Sequence, residues 1–203
     1  MENRFPILER IEPWDRGMKR IKMKCGRFIC VAVVLLLILN APCLSALEEL
    51  KTIPTRPGVT QAFLLIRPAG KPVSSVVLFA GGNGRLRLSA QGVEWGEGNF
   101  LVRNRERFAR QEFLVAVMDV PSDRPQGLWD FRTSAAHAEE VRDVIAELKK
   151  IADTPVWLIG TSMGTVSAAN AAARLKQGGP DGLVLTSTVT KKSRQVTETV
   201  NAV

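Results

Sequence analysis

The run Gly160-Thr161-Ser162-Met163-Gly164 sets a serine between two glycines, with one residue between it and each of them. A serine hydroxyl becomes useful in acyl transfer when it stands at the apex of a sharp strand-to-helix turn. Three fixed residues are a weak signal alone, but their context is specific. Val156 to Gly160, VWLIG, reads as a short buried strand, and an alanine-rich helix is expected from Met163 to Gln177. Glycine lacks a Cβ, so Gly160 and Gly164 let strand and helix approach closely around Ser162. The free amides and positive dipole end of the helix would then face the hydroxyl and any oxyanion formed on it. The plainer alternative is an N-cap serine in an ordinary strand-turn-helix unit.

A second glycine-rich segment, Phe79-Ala80-Gly81-Gly82-Asn83-Gly84, follows an apolar strand. Acyl transfer needs two donors aimed at the developing oxyanion. The amide of Met163 is one candidate, and the amide of Gly82 or Asn83 is the other. A glycine-rich turn without a site role is the alternative. No Lys-Ser or Lys-Thr follows Gly84, which argues against a phosphate loop. A general base is harder to find. His137 is the single histidine and a poor candidate, because it precedes Ser162; a surface or helix-capping histidine is the expected reading. Asp119 and Asp123 follow a strand on the site side of the sheet. Trp129 and Phe131 could line an acyl pocket, or pack over helix ends.

The elements that must position these residues alternate between strand-like and helix-like segments. Strands are expected at Val59–Arg67, Ser75–Ala80, Phe113–Val120, Val156–Gly160 and Gly182–Thr188. Leu86 to Gly98 is glycine-interrupted and reads as loop. A helix is expected over Phe100–Gln111, with Leu101, Phe108 and Ala109 inward. A clearer one spans Thr133–Ile151, capped by Thr133 or Ser134, with Val141, Val144, Ile145 and Leu148 on one face. The fold class is therefore α/β, a mostly parallel sheet with helices on both faces.

In its element order, its glycine-rich loop and its G-x-S-x-G turn, the segment from about residue 59 to 190 resembles the α/β-hydrolase superfamily. The resemblance implies a serine hydrolase, carboxylesterase- or peptidase-like, that attacks an ester or amide through an acyl-enzyme. Ser162 would be its nucleophile, Gly160 and Gly164 its elbow glycines, and Met163 with Gly82 or Asn83 its oxyanion donors. Ala80-Gly81 stands where many members carry His-Gly. The superfamily places its acid and then its histidine after the serine. After Ser162 this chain has only Asp181 and Glu198 as acids and no histidine. Asp181 falls in a turn at the sheet edge opposite the site. Glu198 lies in the polar tail KKSRQVTETVNAV. The expectation is thus a domain lacking its last strands, truncated at the C-terminus and inactive as it stands. The alternative is a non-catalytic secreted binding protein on the same scaffold.

Of 203 residues, 45% are apolar and 24% charged, ordinary for one globular domain. The net charge of +8 is concentrated at the start: residues 1–46 hold 8 Lys and Arg against 4 Asp and Glu. The later basic residues alternate with acids and form no aromatic-interleaved patch, which argues against nucleic-acid binding. Lys19, Arg20, Lys22, Lys24 and Arg27 precede FICVAVVLLLIL (Phe28–Leu39), a basic region followed by about a dozen apolar residues. That is a signal-peptide pattern, too short to span a bilayer unaided. Cleavage is expected near Ala46, giving a secreted or periplasmic protein that touches the membrane only if the segment stays uncleaved. Residues 1–17 read as an extension ahead of a true start at Met18 or Met23. Cys25, Cys30 and Cys43 all lie in this region, so the mature chain would have no thiol. No residue cluster suggests a metal or organic cofactor. The expected partner is a small acyl substrate.

Overall fold

The structure, a computed structural model, describes residues 47–190. The expectations for the extension, the signal segment, its cysteines and Glu198 lie outside the described residues. The strands are β1 (Leu47–Pro54), β2 (Thr60–Arg67), β3 (Ser74–Phe79), β4 (Leu88–Ser89), β5 (Gly92–Val93), β6 (Phe113–Pro121), β7 (Val156–Thr161) and β8 (Gly182–Thr186). The helices are α1 (Phe100–Arg103), α2 (Arg105–Arg110), α3 (Ala135–Ile151) and α4 (Gly164–Arg174), with a 3-10 turn over Trp129–Thr133. Six strands form one sheet in the order β1-β2-β6-β3-β7-β8. β6, β3, β7 and β8 run parallel, while β2 is antiparallel to both β1 and β6.

The period of two in a strand sends alternate side chains of the apolar runs to opposite faces. Phe63, Leu65, Val77, Leu114, Ala116 and Leu158 meet Val141, Val144, Ile145 and Leu148 of α3, with Ala168 and Ala171 of α4, on one face. Leu64, Ile66, Val76, Leu78, Val115, Val117 and Ile159 meet Leu101 and Val102 of α1 and Ala109 of α2 on the other. Burying one such side chain stabilises the fold by about 1.5–3 kcal/mol. The continuous apolar character of β6 follows from its coverage on both sides.

Four expectations are adjusted. The helix over 100–111 is two helices, because Asn104 turns its Nδ2 to the Phe100 carbonyl at 2.6 Å and its amide to Leu101. A side chain that bonds nearby backbone in this way competes with the helical ladder. Phe108 is therefore only partly buried, while Val102 joins Leu101 inside. The helix expected to reach Gln177 ends at Arg174, where Leu175 turns extended. Leu86 to Gly98 includes the β4–β5 pair. β1 was not anticipated: LEELKTIP mixes charge into its alternation, and it is a half-exposed edge strand. Among the described residues no helix is long and apolar enough to cross a membrane.

Candidate functional site

β7 ends at Thr161, α4 begins at Gly164, and Ser162 stands exposed between them with φ +51°. For a residue with a Cβ this left-handed backbone costs about 1–3 kcal/mol, and it persists only where the surroundings over-determine it. They do so here from both sides. The Ser162 amide donates to the Thr186 carbonyl at the end of β8, at 3.0 Å. Its carbonyl accepts from the Thr165 amide at 3.0 Å and the Thr165 hydroxyl at 2.6 Å. The two glycines are required by packing. A Cβ on Gly160 would lie 2.6 Å from the Gly164 carbonyl oxygen, and one on Gly164 would run into the Phe79 carbonyl. The Met163 amide has no acceptor among the described residues and opens the N-terminal end of α4.

The glycine-rich loop after β3 comes directly against this apex. A Cβ on Gly81 would sit 3.3 Å from the Ser162 Cβ, so the loop backbone passes beside the hydroxyl without side-chain obstruction. Gly82 (φ +63°) faces open space, and the amides of Gly82 and Asn83 have no acceptor among the described residues. Two side chains hold the loop. Arg132 is 1% exposed; its Nη2 donates to the carbonyls of Ala80 (3.2 Å) and Gly82 (3.1 Å), and its Nη1 to Ser167 Oγ on α4 (2.7 Å). Drawing those carbonyls toward Arg132 fixes the orientation of the intervening peptides. Burial pushes the guanidinium down to about 10, still fully charged near neutrality. Further along, the Asp119 carboxylate accepts from the amides of Leu86 (2.7 Å), Leu88 (2.8 Å) and Val120 (2.8 Å).

His137 is not the surface residue that the sequence led us to expect. Its ring is fully buried, packed against Phe79 and Phe131, with Nδ1 3.4 Å from Glu140 Oε2. Burial holds its pKa below the usual imidazole value. No hydrogen bond joins it to Ser162 among the described residues. The helix cap is Ser134, whose Oγ accepts the His137 amide. Glu140 in turn accepts from Arg56, which also reaches Asp123. Asp119 and Asp123 are thus occupied, by backbone amides and by Arg56 respectively. Asp181 accepts from the Val156 amide at 2.8 Å, and that bond lowers its pKa. It clamps the opening of β7, the end away from Ser162. Phe131 packs over the α3 start beneath the guanidinium groups of Arg56 and Arg124, and Trp129 is exposed.

The structure thus brings Ser162, Met163, Gly160, Gly164 and the Gly82-Asn83 loop to one place and leaves His137 out. Sequence reasoning missed Arg132 and Asn99. Asn99 carried a signal as a capping residue ahead of an apolar turn, whereas an arginine in a loop announces nothing of the carbonyls it will meet. Beyond the loop, a cleft of about 330 Å³ is bounded by Arg85, Arg87, Glu94, Asp119 and Pro121. Its charges are spent locally, with Arg87 toward Glu94 and Arg85 over Trp95. Among the described residues no group of three or more His, Cys, Asp or Glu could hold a metal.

No family model and no curated protein matches the sequence. Solved structures match the fold. A cold-adapted esterase from an Arctic intertidal metagenomic library aligns at TM-score 0.53 and 17% identity, over 70% of this chain and 61% of its own. A Pyrococcus furiosus esterase aligns at TM-score 0.53 and 17% identity, over 71% and 50%. A Xanthomonas campestris protein, described as an α/β serine hydrolase without lid, aligns at TM-score 0.50 and 16% identity, over 68% and 60%. The chain spans about half to three-fifths of their lengths. Across the elements it shares with them, this protein has the α/β-hydrolase fold.

Proposed function

We propose that Ser162 is the nucleophile of a secreted serine hydrolase that acts on ester or amide bonds of a small acyl substrate. The observation that carries this reading is the exposed serine at φ +51°, held between Gly160 and Gly164 with Gly81 against it. In the reaction, Ser162 Oγ bonds to the acyl carbon and its proton passes to a base. The carbonyl oxygen takes negative charge, and the amides of Met163 and of Gly82 or Asn83 hydrogen-bond it. Collapse expels the alcohol or amine and leaves an acyl-enzyme that water cleaves. Two of its structural neighbours are esterases, which supports the same class. Secretion rests on the basic and apolar pattern of residues 19–39.

Among the described residues no side chain is placed as a base for Ser162, and the single histidine is buried against Glu140. A serine without its base acylates slowly, since loss of triad members costs about 10⁴–10⁶ in rate. That observation also favours a second reading, a non-catalytic secreted binding protein that keeps the elbow as scaffold. A fluorophosphonate probe, with labelled sites located by mass spectrometry, tests the first. Slow labelling at Ser162, lost in Ser162→Ala and accelerated by added imidazole, is the expected result. Labelling spread evenly over surface serines would leave only the binding protein standing.

A further inference from the structure

We propose that Asn99 is a third donor of this site, its side-chain Nδ2 hydrogen-bonding an oxygen on the group attached to Ser162. The inference rests on Ser162 being the nucleophile. Asn99 ends the loop before α1, and the two ends of its amide do different things. Its Oδ1 accepts the Leu101 amide at 3.3 Å, which turns Nδ2 the other way. Nδ2 has no acceptor among the described residues. It lies 3.3 Å from the position a Cβ on Gly81 would take, and the Ser162 Cβ lies 3.3 Å from that same position. The amide hydrogens and the serine side chain thus flank one space, kept open because residue 81 is glycine.

In this proposal an oxygen on the atom bonded to Ser162 Oγ occupies that space. The amides of Met163 and of Gly82 or Asn83 supply two backbone donors, and Asn99 adds a neutral one on the α1 side. α1 packs against β3 and β7, the two strands whose ends carry the glycine-rich loop and the elbow, so the donor is held by the same framework as its target. The tethering of Oδ1 is what separates this role from that of a flexible surface amide. A donor fixed before the reaction loses little in reorganisation when charge develops.

The full chain is treated with a fluorophosphonate probe, and the rate of Ser162 modification is read from intact mass. In that step the Oγ–P bond forms, fluoride leaves, the hydroxyl proton goes to solvent, and the phosphoryl oxygen takes the place of the oxyanion. Asn99→Ser keeps a capping oxygen for Leu101 but is too short and lacks the amide donor. Asn99→Asp keeps both the cap and the length. About a tenfold or greater fall in rate for both, with an unchanged urea midpoint for Asn99→Ser, is the expected result. Asn99→Ser modified within about threefold of the unaltered rate overturns the role of Asn99 and leaves Ser162 as nucleophile intact. An unaltered chain modified at Ser162 no faster than at other serines takes down both readings together.

Discussion

Ser162 keeps a backbone angle that its Cβ opposes, and the atoms that make this tolerable are hydrogens: the Hα atoms of Gly160 and Gly164. In Gly164→Ala the added methyl enters the Phe79 carbonyl, a backbone atom that cannot rotate away. Overpacking of this kind costs about 1–3 kcal/mol. A lower urea midpoint together with loss of Ser162 labelling is expected; labelling at the original rate would show that the elbow does not depend on this approach. His137 poses the opposite problem, a titratable ring placed where charge is unwelcome. Burial depresses its pKa, the guanidinium groups of Arg132 and Arg56 act in the same direction, and Glu140 opposes them. As pH falls through about 6.5 the unfolded chain takes up this proton first. Stability is therefore complete above that value and declines below it. The chain has no other histidine, so urea unfolding between pH 7.5 and 5.5 reads this residue. The decline should flatten in His137→Gln, and an equal slope in both proteins would assign it elsewhere. Ser162 and its glycines were legible in sequence because a tight turn is specified by its own residues. The burial of His137 was not, since it depends on packing against Phe79, which lies far earlier in the chain.

At the scale of elements, the strands were legible for the same reason that they fold: β6, β7 and β3 are apolar almost without interruption because helices cover both faces. Their ends were less so. Thr186 finishes β8 because Ser187 turns to φ +50°, and α4 stops where Leu175 extends, neither marked by a breaker at that position. How the glycine-rich loop is held was invisible. The loop owes its course to Arg132, a cation that makes no ion pair with a carboxylate among the described residues and bonds instead to two carbonyls and a hydroxyl. Burial lowers its pKa to about 10, so holding the charge there is unfavourable. Three hydrogen bonds from a charged donor offset that cost. Because two of them end on loop carbonyls, Arg132 is assigned to loop geometry. In Arg132→Met the unfolding free energy should fall by no more than about 2 kcal/mol, while Ser162 labelling falls about tenfold. A large loss of stability with unchanged labelling would reverse that assignment.

The whole molecule is asymmetric across its sheet. At one end β1 closes the sheet with a charged, half-exposed strand, Glu48 and Glu49 paired to Arg105, Arg67 and Lys51. Charge on an edge is how sheets discourage pairing with a neighbour. At the other end β8 carries Leu183 and Val184, 36% and 38% exposed, beside Trp157 at 41%. Gly182 allows the Trp157 ring to lie over the start of β8, so these residues form one apolar border. The alternation of buried and exposed positions seen in β1 is missing, and among the described residues no strand pairs with the outer edge of β8, a composition that invites β-addition by a second copy. Net charge opposes such contact. The full chain carries +8, and like charges repel over about 10 Å at 0.1 M salt but only about 3 Å at 1 M. Apolar and backbone pairing at the edge has no such screening. Self-association should therefore increase with salt, the reverse of an assembly held by ion pairs. Light scattering across a salt series is the measurement, with Val184→Lys as the comparison. A charge placed there should suppress association at every salt concentration while leaving unfolding within about 0.5 kcal/mol of the original, as an exposed substitution does. Undiminished association in Val184→Lys would show that the copies meet through some other surface, and that β8 is not an open edge in solution.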